Sequence, residues 1–365
     1  MPLKTVSGKH ADPRKGRGAG INPEGRFENI EREAFDDGWN TPEDEDGPPA
    51  LKTQVTIERA KSIISRNQSP DICFSQSLNP YAGCEHGCVY CYARPSHGFR
   101  NLSPGIDFET KLFAKVNAAE LLRAELSQPS YKAEEIMIGA NTDPYQPIER
   151  EYRITRSVLE VCSEFNQPIG LITKNAGIER DIDILSPMAK KRLVGVTISL
   201  NNLDHEVARR LEPRCSAPRR RLQAIRALSD AGIPVCVLVA PVVPFLTDQQ
   251  IEPVLEAAWE HGARQAGYVL LRLPWEVKDL FKDWLERHYP LKAKHVMSRV
   301  HEMRAGREND PCFGSRMIGS GQFAEILEKR FDIACRRFGF NAERGRDLDK
   351  TLFFVPGNAT QLPLF

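Results

Sequence analysis

Three cysteines within eight positions, Cys84, Cys88 and Cys91 of the segment CEHGCVYC, are the residues of this chain whose type and spacing carry the strongest chemistry. Three thiolates can hold three irons of a cubane cluster and leave the fourth iron open to an outside ligand, a vacancy that an ordinary four-cysteine ferredoxin site lacks. Gly83 and Gly87 give the loop the freedom to wrap around a metal, and Tyr90 immediately precedes the last cysteine. The same thiols would suit a structural zinc with His86 or His97 as fourth ligand, since Cys₃His is a normal zinc set. No second CxxC-type or His pair completes a conventional zinc module, so the spacing favours the cluster. Cys73, Cys162, Cys215, Cys236 and Cys335 are scattered and make no case for a second cluster.

A loop of this kind needs a scaffold, and the sequence from about Leu51 to Arg272 supplies one by alternating short apolar runs with helical patterns. The strand candidates are IMIGA (136–140), PIGLIT (168–173), VGVTISL (194–200), PVCVLVA (234–240) and GYVLLRL (267–273), continuous and β-branched enough for burial on both faces. Between them, Ile154, Val158, Val161, Cys162 and Phe165 make one helical stripe, and Ile251, Val254, Leu255 and Ala258 another. Asn117 is expected to cap a third helix with Glu120 at its third position. With a first strand just before Cys84, about six βα units predict an α/β fold with a partial (β/α)₆ TIM-like barrel, whose chemistry belongs at the C-terminal strand ends. The predicted organisation is a flexible N-terminal arm over 1–50, the barrel core over 51–274, a helical C-terminal extension over 275–357 and a tail over 358–365.

Composition narrows the setting. A chain of 365 residues with a formal net charge of +1 has no overall electrostatic signature of nucleic-acid binding, so such binding must use a local patch. No stretch approaches the ~20 consecutive apolar residues of a membrane span, and the basic start has no apolar run behind it. Nine cysteines, an odd number and partly clustered, do not read as a secreted disulfide framework. A cytoplasmic protein is the expectation.

The segments NPYAGCEHGCVYCYAR, NTDPYQPIE (141–149), ITKN (172–175), SLNN (199–202) and LEPRCSAPRRRLQAIRAL resemble the radical S-adenosylmethionine (SAM) superfamily, closest to its spore photoproduct lyase-like branch, often labelled DNA repair photolyase. The match runs from about Cys73 to about Leu273. It implies a barrel of the radical SAM type, a [4Fe-4S] cluster on Cys84, Cys88 and Cys91, and SAM chelated by the open iron. It implies an enzyme, lyase-like or modifying, in which an electron carrier such as a flavodoxin or ferredoxin drives reductive cleavage of SAM to a 5'-deoxyadenosyl radical that takes hydrogen from substrate. DNA or another nucleic acid is the substrate class the resemblance points to; a small molecule or a protein is the alternative, and a non-enzymatic, zinc-stabilised binding protein is the competing class.

The resemblance also distributes roles. Tyr90 stands with the cofactor-binding residues. Asn141, Thr142 and Asp143 follow a strand where relatives place acceptors for SAM's ammonium, suitable chemistry for a group with three donors. Lys174 is expected to pair with SAM's carboxylate, and Ser199 and Asn201 to bind the ribose hydroxyls. Ser216 is expected to cap a helix with Pro218 in its first turn, which sets Arg219, Arg220 and Arg221 at the positive end of the dipole. SAM's carboxylate, a substrate phosphate or Glu212 would relieve that conflict, and Arg221 best matches the family pattern. A solvated basic face is the plainer reading. Asp107, Phe108, Glu109 and Lys111 match the branch without an evident role. In GRENDPCFGSRMIGSG (306–321), Cys312 is a candidate catalytic thiol that would return a hydrogen atom to a substrate radical, or an incidental cysteine. The terminal QLPLF (361–365) looks like a short peptide that docks on the DNA sliding clamp.

Overall fold

The structure, a computed structural model, describes residues 16–27, 51–342 and 347–357. Its strands are β1 (Gln54–Glu58), β2 (Ile64–Arg66), β3 (Gln76–Leu78), β4 (Tyr81–Ala82), β5 (Lys111–Lys115), β6 (Ile136–Ile138), β7 (Ile169–Thr173), β8 (Val194–Ser199), β9 (Val235–Val242) and β10 (Gln265–Leu270). Six of them, in the order β3-β6-β7-β8-β9-β10, form a parallel sheet, with β2 antiparallel on the β3 edge. Helices Ala118–Leu126, Ile154–Glu164, Ile182–Lys190, Pro218–Asp230 and Ile251–Glu260 connect successive strands. The sheet is open between β2 and β10, which is the partial (β/α)₆ barrel expected. Fully buried Val158, Leu185, Ile225 and Val254 on the helices share one core with Leu171, Val194 and Val237 on the strands. That is the burial the helical stripes and the apolar strand runs require.

Local departures have local causes. The strand expected just before Cys84 is divided between two sheets. β3 joins the barrel, while β4 pairs with β5 in a small three-stranded sheet completed by β1. Asn79-Pro80 separates them, and Pro80 has no N–H to continue a ladder. Asn117 stands at a helix start but does not cap it; its side chain bonds the N–H and C=O of Ala60 at 2.9 and 3.0 Å. The last strand starts and ends earlier than its apolar run, and its register against β9 shifts between Tyr268 and Leu270. Arg272 is thereby left beyond the strand.

Part of the segment expected to be a flexible arm is packed. Arg17, Gly18, Ala19 and Gly20 are buried. The Glu109 carboxylate accepts from the N–H groups of Gly18 and Ala19 at 3.0 and 2.8 Å, and Arg17 donates to the carbonyls of Glu109 and Leu51 at 2.8 and 2.7 Å. Backbone amides anchored on one buried carboxylate need no apolar pattern in the sequence. The C-terminal extension, expected to be helical, contains helices Val277–His288, Pro290–Met303, Ser315–Ile318 and Gln322–Phe338. Residues 361–365 lie outside the described residues. Among those described, no helix is long and apolar enough to cross a membrane.

Candidate active site

The loop from Gly83 to Cys91 leaves β4 and is held from three directions. The Gly83 carbonyl accepts from Thr142 Oγ1 at 2.7 Å and Gln146 Nε2 at 3.3 Å, both from the loop after β6. The N–H groups of Cys84 and Glu85 donate to Phe108 O and Gln146 Oε1, each at 2.9 Å. Arg94, fully buried, donates to Cys88 O at 2.9 Å, to the carbonyls of Pro104 and Gly105, and to Glu109 at 2.6 Å. Gly83 and Gly87 have φ of +75° and +69°, and a Cβ on Gly87 would come within 2.8 Å of Glu109 Oε2, so the loop's glycines answer to both conformation and space. The motif around Glu109 is therefore the brace of the cysteine loop.

The three thiols face a charged environment assembled from distant elements. Lys174, just past β7, lies among Cys88, Cys215, Glu212 and Asp143; burial pulls its ammonium pKa down, but these neighbours outweigh burial and raise it. Glu212 accepts from Tyr90 OH and pairs with Arg221; burial pushes its carboxyl up, while Arg221 and Lys174 hold it below the usual range. The Cys215 thiol stands 3.7 Å from Cys88 and, with Lys174 and His86, lowers the Cys88 pKa, whereas burial pushes Cys91 up to about 12. Cys215 was among the scattered cysteines of the sequence. The structure brings it beside the triad, and nothing local in the sequence signals this.

The other predicted residues divide by how much of their polar surface is spent. Thr142 is buried with its hydroxyl on Gly83, and the Asp143 carboxylate accepts from Thr173 Oγ1 at 2.7 Å, Lys174 N at 2.8 Å and Tyr145 N at 2.9 Å. Asn141 keeps an exposed amide that reaches Ser96 at 3.3 Å. Arg221 donates to Ser216 O at 2.7 Å, Ser199 O at 2.9 Å and Glu212, so of the anions considered for it the structure supplies Glu212. Ser216 is not the helix cap: Ala217 occupies that position, and the Ser216 hydroxyl accepts from Ala176 N at 2.9 Å. Ser199 and Asn201, buried at the end of β8, differ. The Ser199 hydroxyl has a contact at 3.3 Å to Ala240 O; Asn202 Nδ2 donates to Asn201 Oδ1 at 2.7 Å, and Asn201 Nδ2 and Asn202 Oδ1 are buried without a partner among the described residues. Cys312 is exposed beside Asp310. Its loop packs near the end of β10, where Arg304 joins the carbonyls of Leu270 and Leu271 to those of Ser315 and Arg316.

Of the histidines considered as zinc ligands, His97 is engaged elsewhere, whereas His86 lies between the Cys84 thiol and the Asp143 carboxylate, which together raise its pKa against the pull of burial. His97 Nε2 donates to Lys111 O at 2.9 Å, and His86 Nδ1 lies 3.3 Å from the Asp143 carboxylate, close enough for an ion pair though not aligned as a hydrogen bond. Among the described residues no three His, Cys, Asp or Glu side chains gather around a single-ion site. What the site offers is three unpaired thiols, a lysine ammonium without a hydrogen-bonded partner among the described residues, and orphaned amide atoms at the end of β8. This set fits an iron–sulfur cluster with a zwitterionic, ribose-bearing ligand beside it.

A model of the Radical SAM superfamily matches residues 78–258. An uncharacterised protein of Mycobacterium tuberculosis is 34% identical over 232 residues, 63% of this chain and 67% of its own length. The chain belongs to the radical SAM superfamily. Another relative, an uncharacterised protein of Methanocaldococcus jannaschii, is 24% identical over 249 residues, 68% of this chain and 89% of its own. Spore photoproduct lyase, in complex with a dinucleoside spore photoproduct, shares the fold at a TM-score of 0.55 and 15% identity, with 78% of this chain and 80% of that chain covered. The protein is a radical SAM enzyme, and the cofactors of that family, a [4Fe-4S] cluster and SAM, are its cofactors.

Proposed function

We propose that Cys84, Cys88 and Cys91 ligate the cluster, and that the enzyme abstracts hydrogen from a nucleic-acid substrate in a repair or modification reaction. The observation that carries the ligand assignment is the presence of three disulfide-free thiols on one loop, with the carbonyls of Gly83 and Cys88 and the amides of Cys84 and Glu85 already hydrogen-bonded. The cofactors supply one-electron cleavage of SAM at the sulfonium and a carbon radical for hydrogen abstraction. The chain's residues bind and orient. Lys174 meets SAM's carboxylate, the exposed Asn141 amide meets its ammonium, and Ser199 with the orphaned Asn201 amide meets the ribose hydroxyls. Thr142, Asp143 and Arg221 act one step removed, by holding the cysteine loop, Lys174 and Glu212 in place.

The nucleic-acid substrate is supported by the resemblance of residues 73–273 to the lyase-like branch and by a fold shared with a lyase that binds a dinucleoside photoproduct. Anaerobic purification tests the chemistry: iron, sulfide and reductant-dependent release of 5'-deoxyadenosine are expected, and Cys88→Ala is expected to abolish that release. Substantial turnover in this variant rejects the ligand assignment. Deuterium transfer into 5'-deoxyadenosine from labelled DNA, against RNA and metabolite pools, tests the substrate class.

A further inference from the structure

Residues 306–321 bridge the open edge of the barrel. Arg304 fastens the bridge to the end of β10, and on the other side the Gly314 N–H donates to Asp71 Oδ1 at 2.6 Å, while Arg316 pairs with Asp71 and donates to Ser69 Oγ at 2.6 Å. Asp71 and Ser69 lie between β2 and β3. Arg272, half-buried just past β10, reaches this bridge: its Nη1 donates to Met317 Sδ at 3.4 Å. Its Nε is buried without a partner, and its guanidinium makes no ion pair among the described residues. The carboxylates that face it, Asp71 and Asp310, are taken. Asp71 serves Arg316 and Gly314, and Asp310 accepts from Ser315 Oγ at 2.5 Å and Cys312 N at 2.8 Å.

Exposed rings surround this guanidinium. Tyr92 crosses toward it from the cysteine loop: its hydroxyl donates to Ala140 O after β6, and its ring centroid lies 6.0 Å from Arg272 Cζ. Phe313 is exposed in the bridge with Arg316 Cζ 4.5 Å from its ring. Trp275, three residues beyond Arg272, is exposed with Arg26, itself paired with Glu276, 3.9 Å from its ring.

We propose that Arg272 receives a backbone phosphate of a single-stranded nucleic acid at the barrel mouth, with neighbouring bases stacked on Tyr92 and Phe313. The inference rests on the nucleic-acid reading above and gives it a binding site. A guanidinium without a counter-charge offers an oxyanion both charge and directed donors. Exposed rings stack bases whatever the sequence, and they can do so only where the bases are unpaired. A carboxylate or a single phosphate would satisfy Arg272 alone; aromatic rings on the cysteine-loop side and on the bridge side match successive bases of a strand. Because Tyr92 follows Cys91, a strand seated here lies next to the cysteine loop.

The test titrates the anaerobically purified holoenzyme with fluorescently labelled oligodeoxythymidine or oligouridine, the arms that separate DNA from RNA, and reads anisotropy. An abasic strand of the same length and thymidine monophosphate serve as competitors, and both are expected to compete poorly. Arg272→Gln is expected to raise Kd about tenfold and to flatten the slope of log K against log salt by about 0.7, the worth of one phosphate contact on a single strand. Arg272→Lys should keep the slope. Phe313→Ala is expected to raise Kd about tenfold with the slope unchanged, and its exposed position leaves the fold intact. Unchanged Kd and slope in Arg272→Gln and Phe313→Ala overturn the site. So does a wild type that binds the abasic strand or thymidine monophosphate as tightly as the oligonucleotides, or that binds no oligonucleotide. If deuterium transfer from DNA or RNA persists beside such a result, the nucleic-acid reading stands and the site alone fails. Binding as expected without transfer from any nucleic acid fails that reading and upholds the site.

Discussion

Asp143 shows how a residue chosen for its chemistry comes to serve another. An Asn-Thr-Asp run after a strand offers acceptors for an ammonium, but the carboxylate is already filled by Thr173, Lys174 and Tyr145 and lies 3.3 Å from His86. Burial pushes its pKa up, and His86 with these donors overrides burial and brings it to about 2. A depressed carboxylate stabilises the fold above its unfolded value of about 3.9, and that contribution is lost as the pH falls toward 2. Asp143→Asn is therefore expected to lower unfolding stability near neutral pH by about 2 kcal/mol in denaturant titrations. The gap to wild type should close as the pH falls from about 4 to about 2, and a gap independent of pH would reject the ionic role. Cys215 marks the opposite case: its partner Cys88 is 127 residues away, and sequence spacing reports only near neighbours.

At the scale of elements, the N-terminal segment and the motif around Glu109 explain each other. Gly-, Pro- and charge-rich sequence reads as an arm because it has no apolar period. It docks through backbone amides, which every sequence carries, and through Ala19 and Ile21 packed with Ile106 and Leu280; the matching signal is the buried Glu109 on the other side of the contact. The approach is close: a Cβ on Gly18 would sit 1.8 Å from Gly87 O. Gly18→Ala is expected to lift residues 16–27 off the cysteine loop and leave the Glu109 carboxylate short of two donors, at a cost of about 1–3 kcal/mol. Limited proteolysis should then cut within 16–27 while the barrel stays intact. Protection equal to wild type would contradict the docking.

At the scale of the molecule, the barrel and the C-terminal helices are joined through Arg304. Its guanidinium is buried with no carboxylate ion pair among the described residues, and burial and Arg272 lower its pKa to about 10 against the opposing pull of Asp310. Its charge is met by four carbonyls, two at the end of β10 and two in the loop that carries Cys312. Arg304→Met is expected to cost about 3 kcal/mol and to raise hydrogen exchange over residues 304–321 ahead of the barrel strands. Uniform loss of protection would make Arg304 a general core residue instead. The sequence by itself determined the central barrel strands and the helices between them, the cysteine motif and the family, because periodicity and motif spacing are properties of neighbouring residues. Tertiary structure alone decided which of the polar residues at the strand ends remain free for a ligand. Only folding showed that Thr142, Asp143 and Arg221 make hydrogen bonds within the scaffold, that Asn201 Nδ2 has no partner among the described residues, and that Cys215 and Gly18 lie beside the cysteine loop. The physical reason is that a buried polar group must find its partner wherever the chain brings one, and in this barrel the partners come from elements far apart in sequence.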